Sequence, residues 1–198
     1  WASGWKERYL LRDGLNTAGT LMEIQRLSQR ISMSHQFGFV NRLGLIDASP
    51  NHISETACYQ GYKLIASHSH TIALETNVTA STFDTAGLAT EPPQTNVPYL
   101  DAMATLSEDG SQLSISVINR HRQNDMKADV VIKGGGALTP ETTMHELNGT
   151  GPHARNTYDD NTQTWLKTSR TRLDIENNTF SYEFPAHSVT LFEISLDT

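Results

Sequence analysis

Carboxylates, imidazoles, a thiol and indoles are the side chains of this chain that could do chemistry. Two carboxylates held on rigid elements could share acid, base or nucleophile work. Glu55 reads as part of a helix first turn, where the backbone dipole favours a negative charge. Asp109 belongs to a Ser107-Glu108-Asp109-Gly110 turn, and Asp159-Asp160 falls in a polar stretch with the look of a solvated loop. No two of them form a pair on rigid elements, so no catalytic residue is assigned. The histidines are His35, His52, His68, His70, His121, His145, His153 and His187. Zinc asks for three or four converging ligands, usually at helical or knuckle spacing. His68 and His70 lie two apart and the rest are scattered, so they read as surface or turn residues, with no metal ligand and no cofactor expected. Cys58 is the single cysteine, which rules out an intrachain disulfide and a four-cysteine metal site. It sits in a helix-like stretch, where a core role is expected.

Composition narrows the classes. The chain has 198 residues, 37% of them hydrophobic and 19% charged, as in a globular protein. No run approaches the roughly 20 apolar residues of a membrane helix, so no membrane partner is expected. A net charge of -7 argues against nucleic acid, which needs clustered Lys and Arg; Arg120-His121-Arg122 is too short a cluster. Asn77-Val78-Thr79, Asn148-Gly149-Thr150 and Asn177-Asn178-Thr179 fit the glycosylation pattern, but a chain rich in Asn and Thr produces such triplets by chance. Nothing here fixes the compartment; the cytoplasm is the expectation.

The elements that must position these residues change character along the chain. Leu11, Leu15, Ala18 and Met22, widened by Leu21, Ile24 and Leu27, predict a helix from about Arg8 to Ser28 with one buried face. Phe37-Gly38-Phe39-Val40-Asn41 predicts a buried strand. Pro50-Asn51 marks a turn, and Ser54 would cap a second helix with Tyr59, Tyr62 and Ala66 along one face. Past a breaker-rich linker, Glu91-Pro92-Pro93 to Pro98, the pattern is all-β. Strands are predicted at 102–106, over Leu113, Ile115 and Val117 with a wet serine face, and over Ala128, Val130 and Ile132. Others are predicted at 142–147, 173–175, 180–184 and 189–196. Short strands between turn signals argue for an antiparallel sandwich, Ig-like or jelly-roll.

Several segments together resemble glycoside hydrolase family 51, the α-L-arabinofuranosidases. Leu11-Arg12-Asp13-Gly14-Leu15 is similar to the helix after the family's nucleophile motif, and Trp1 to the tryptophan directly after the nucleophile. Trp5 falls one position later than the family's second tryptophan. Met33 to Asn41, with Val40-Asn41, resembles the eighth barrel strand, and Glu55-Thr56-Ala57-Cys58-Tyr59 through Leu64 the last barrel helix. Tyr99-Leu100-Asp101-Ala102, Leu113 through Asn119-Arg120, His145-Glu146-Leu147-Asn148-Gly149, Ala154-Arg155-Asn156-Thr157 and Phe184-Pro185-Ala186-His187-Ser188-Val189 fit the sandwich. The likeness spans nearly the whole chain.

The resemblance implies a mainly β fold: an antiparallel, jelly-roll-like β-sandwich at 72–198, preceded at 1–71 by an α/β remnant of the last units of a (β/α)8 barrel. It implies a retaining mechanism, in which one carboxylate attacks the anomeric carbon and another, ~5 Å away, serves as acid and base. In the family the nucleophile Glu would stand directly before Trp1 and the acid/base Glu far upstream, so this stretch is expected to be incompetent alone. Trp1 could line an arabinose subsite by ring stacking. The family's substrate-binding strand-eight Gln has Gly38 at its place here, and Gln36 is the nearest substitute. An arabinose-containing saccharide is the implied partner in the complete enzyme. A function of another class, a non-catalytic β-sandwich module for support or oligomer contacts, stays open beside it. The implied partners are another copy, as a homo-oligomer, or the rest of the barrel; left without the barrel, the apolar residues before about 72 should pack on the sandwich, pair with another copy or be partly mobile.

Overall fold

Leu11, Leu15, Ala18 and Met22 recur at helical spacing, and in the computed structural model they form the buried stripe of α1 (Leu11–Arg26). Residues 9–36, 38–88 and 91–197 are described; Phe37 lies outside them. The first turn of α1 leaves backbone N–H groups without helical partners. Asp13 accepts the Leu10 N–H at 2.8 Å. The loop at 152–154 takes two more: Leu11 N donates to Ala154 O at 2.8 Å and Arg12 N to Pro152 O at 3.1 Å.

The second helix, α2 (Ala57–His68), starts later than Ser54 suggests. Ser54 and Glu55 end a hairpin, β1 (Ile46–Ser49) with β2 (His52–Glu55), turning at Pro50-Asn51. Thr56 is the cap, accepting the Tyr59 N–H at 3.2 Å. The buried face of α2 holds Ala57, Cys58, Gln60, Gly61, Leu64 and Ile65, while Ala66 faces solvent. Cys58 has the expected core position, and burial pushes its thiol up to about 11. The two helices touch backbone to backbone at glycines. A Cβ on Gly61 would stand 2.4 Å from Gly14 O, and one on Gly14 2.5 Å from Ala57 O.

The rest of the domain is antiparallel. Its strands are β3 (Ile72–Leu74), β4 (Thr82–Phe83), β5 (Val97–Pro98), β6 (Leu100–Leu106), β7 (Gln112–Asn119), β8 (Met126–Val131), β9 (Ala137–Gly149), β10 (Thr164–Arg172), β11 (Thr179–Phe184) and β12 (Ser188–Asp197). Six build one sheet in the order β10-β9-β12-β7-β6-β3, and β8 with β11 makes a ribbon. Period two splits each central strand between two cores. Leu113, Ile115, Val117, Phe192 and Ile194 meet Phe180 and Phe184 of the ribbon. Ile118, Val189, Leu191, Leu147 and Met103 point the other way, against α1 and α2. The result is a mainly β, antiparallel sandwich with two helices on its outer sheet face.

Three expectations are corrected. The serine face of β7 is not wet: Ser114 and Ser116 are 2% and 4% exposed, beneath the helix pair. The strand expected at 173–175 is instead β10, ending at Arg172. Most of β10 is polar and exposed, as suits an edge strand, so it lacks the alternation that betrays buried strands. The strand expected at 37–41 is absent from the described residues there. Val40 makes a single bridge to Ile46, and Phe39 and Val40 are 62% and 51% exposed. Asn41, Arg42 and Leu43 follow in left-handed backbone, with φ of 56°, 49° and 65°. Such conformations cost of order 1 kcal/mol or more each for residues with a Cβ. Asn41 tolerates this best: its Oδ1 accepts the Ala48 N–H at 2.7 Å.

Candidate functional site

Two histidines and a glutamate that are remote in sequence converge between the helix pair and the sheet. His68 ends α2, His145 lies on β9 and Glu193 on β12. The odd-numbered residues of β12 face the helices, which turns Glu193 toward α2 along with Val189 and Leu191. His68 Nδ1 is 3.0 Å from Glu193 Oε1, and His145 Nε2 is 2.9 Å from Oε2. A carboxylate only accepts, so with hydrogen bonds alone each imidazole must turn an N–H toward it. On its far side His145 Nδ1 is 2.8 Å from Thr168 Oγ1 of β10. The two rings lie close and tilted, centroids 3.8 Å apart with 31° between their planes.

Burial differs among the three. The His145 side chain is 5% exposed, against 24% for His68 and 31% for Glu193. A surface or turn reading therefore fails for His145, which is a core strand residue. Partial burial pushes the Glu193 carboxyl up, but the hydrogen bonds from His145 and His68 outweigh it and hold the group below the usual carboxylate range. One ligand-capable atom from each residue lies within 4.8 Å of the others.

A second polar cluster borders α1. Asp101 receives Arg26 Nη2 on one oxygen at 2.5 Å and Arg120 Nη2 on the other at 2.6 Å. Arg26 also reaches Glu23 at 2.9 Å, and Arg120 reaches Pro98 O at 3.1 Å. These groups edge a cleft of about 520 Å³ that continues to Arg12, Arg122, His153 and His187. With Asp101 shared between two guanidinium groups, the network ties α1 to β6 and to the end of β7.

Of the carboxylates singled out in the sequence, Glu55, Asp109 and Asp160 have structural partners. Glu55 closes β2 rather than opening a helix and stands 3.6 Å from Lys63. Asp109 has its turn role, accepting Ser107 Oγ at 2.6 Å and Ser111 N at 3.0 Å, and these bonds lower its pKa to about 2. Asp160 accepts from Thr162 and Gln163 in its loop and is held below the usual range by those bonds. Trp1 lies outside the described residues. Gln36 is exposed in an irregular segment and bonds to no described residue.

Antiparallel sandwich, attached helices and polar groups spent on joining elements define a mainly β domain. The chain belongs to the α-L-arabinofuranosidase C-terminal domain family, whose profile matches residues 2–188. No curated protein sequence matches it. Among solved structures it is similar to an α-L-arabinofuranosidase of Thermotoga maritima in an arabinose complex, at 28% identity and TM-score 0.86 over 96% of this chain and 39% of that one. A thermostable α-L-arabinofuranosidase of Thermotoga petrophila gives 28% identity and TM-score 0.84, over 95% and 39%. A family 51 enzyme of Bifidobacterium longum shares the fold at 18% identity and TM-score 0.76, over 96% and 36%. The chain thus spans about two fifths of the length of the structures it matches. Its setting is that of family 51 glycoside hydrolases.

Proposed function

We propose that this chain is the C-terminal portion of a retaining α-L-arabinofuranosidase, which releases terminal arabinofuranose from hemicellulose or arabino-oligosaccharides. The chain alone does not turn over substrate. The observation that carries this reading is the 28% identity held across 96% of the chain to an arabinofuranosidase more than twice as long. In this reading residues 72–198 are the jelly-roll-like sandwich, and 1–71 supply the last units of a (β/α)8 barrel. Trp1 and Gln36 border the arabinose subsite, while both catalytic carboxylates come from the rest of the enzyme.

The exposed apolar residues support this division. Met33, Phe39, Val40 and Ile53 are 71%, 62%, 51% and 77% exposed, and all fall between the two helices in sequence. Docking against the remainder of a barrel would cover them and give the left-handed turn at 41–43 a reason. The chain's own part is then mechanical: α1 and α2, fixed to the sheet through Leu11, Leu15, Leu64 and Ile65, hold that segment in place.

Hydrolysis of an aryl arabinofuranoside tests the proposal. The 198-residue chain should give no turnover, and the protein extended upstream, with Asp-Glu expected directly before Trp1, should be active. An inert extended protein would overturn it.

A further inference from the structure

We infer that His68, His145 and Glu193 form a zinc site that fastens α2 to the sheet, independently of the enzyme reading above. Two imidazole nitrogens and a carboxylate oxygen are a donor set that suits zinc, which takes nitrogen and oxygen ligands at about 2.0–2.2 Å. Here His68 Nδ1 and His145 Nε2 each face a Glu193 oxygen, at 3.0 and 2.9 Å, and one ligand atom of each residue lies within 4.8 Å of the others. A tetrahedral ion would hold its ligand atoms about 3.4 Å apart, slightly wider than the present 3.0 and 2.9 Å N–O contacts and inside the 4.8 Å span of the group. Small rotations of His68 and Glu193, the two more exposed members, can supply that adjustment.

The surroundings fit as well. A zinc-bound histidine usually gives its other ring N–H to an oxygen that fixes its orientation. Thr168 Oγ1 stands 2.8 Å from His145 Nδ1 for that purpose, leaving Nε2 to face the cluster. His145 is anchored on the buried β9, and Glu193 on β12, whose neighbouring odd-numbered side chains Leu191 and Val189 are fully buried. Both donors thus rise from a rigid sheet. With three protein ligands and part of the cluster open to solvent, water takes the fourth position.

Zinc chloride titrated into the chelator-treated full chain tests this by calorimetry and thermal unfolding. The expected result is one zinc per chain and a midpoint that rises with zinc concentration, because binding the folded state alone stabilises it by mass action. His68→Gln and Glu193→Gln should each weaken binding at least about tenfold, and Thr168→Val by about tenfold or more through the outer shell. The double variant His35→Gln/His52→Gln, at exposed positions, should bind as the parent does. Cobalt added to the unmutated chain gives a check that needs no variant to fold: imidazole NMR signals of His68 and His145 should broaden first. Absent stoichiometric binding, binding unchanged in both His68→Gln and Glu193→Gln, or broadening centred on other histidines would each overturn the inference. In that case the cluster is a hydrogen-bonded bridge only.

Discussion

Residues 31–40 and strand β12 are each half apolar in sequence, yet they finish in opposite environments. In β12, Val189, Leu191, Phe192 and Ile194 are all 0% exposed, paired on both edges and covered on both faces. In the other stretch Met33, Phe39 and Val40 are more than half exposed, the pairing among the described residues is one bridge, and the chain next turns through left-handed conformations at 41–43. The hydrophobic effect rewards burial only where a partner surface exists. β12 has β7, β9, the ribbon and two helices around it. The earlier stretch has a hairpin and the edge of α1, where Tyr9 Oη donates to Leu43 O at 2.6 Å. Apolar content sets what a segment can gain from burial, and the neighbours decide whether it does.

That contrast can be broken experimentally, and the largest effect is expected in β12. Phe192 packs edge-on against Phe180, Tyr182 and Phe184, with centroids 5.4, 5.0 and 6.3 Å away. Phe192→Ala should cost about 3–5 kcal/mol in urea unfolding, through lost transfer energy and a cavity. A loss below about 1 kcal/mol would mean the core is less tightly packed than β12 requires.

Next comes the helix crossing that covers the sheet. Gly61→Ala places a methyl against the Gly14 carbonyl and should cost about 1–3 kcal/mol by forcing α1 and α2 apart. An unchanged unfolding midpoint would contradict the close backbone approach.

Exposed residues of the other stretch should respond in the opposite way. In this chain Phe39→Ser should change stability by no more than about 0.5 kcal/mol. In the extended enzyme the same change should cost about 2 kcal/mol or more if Phe39 becomes buried there. Equal effects in the two proteins would remove the barrel-docking interpretation while leaving the sandwich intact.

The smallest effect is electrostatic. Glu193 has its carboxyl pKa depressed in the folded chain, since the bonds from His145 and His68 outweigh the opposing effect of burial. A depressed carboxyl contributes stability that is fully present above its ordinary value of 4.5 and fades as pH falls through the folded-state value. Urea midpoints in chelator should therefore show the parent ahead of Glu193→Gln at neutral pH, with the gap narrowing below about pH 4.5. A gap that stays constant into acid would show that Glu193 does not act as a charged acceptor.

Much of the fold is legible in the residues. The stripe of α1, the Pro50-Asn51 turn, the Asp109 turn and the alternation of β7, β11 and β12 are local patterns, and local backbone geometry reproduces them. β10 is not legible because an exposed edge strand carries no apolar period. The segment at 37–41 misleads for the converse reason: it has strand-like composition, but among the described residues it meets a strand only at the single Val40–Ile46 bridge. Of the candidate sites, Gln36 is placed at the surface and Trp1 lies outside the described residues. The His–Glu cluster escaped a search by spacing altogether.

By itself, then, the sequence determined which residues share a face, where turns fall and which family the segments resemble. Each of these depends on periods of two or 3.6 and on short motifs. Only the tertiary structure decided what covers each face. It put the helices over Ser114 and Ser116, and it joined His68 to Glu193 across 125 residues and His145 to Glu193 across 48. A period shows that a side chain points away from its neighbours along the strand; what it meets there depends on which distant strands pair and in what register.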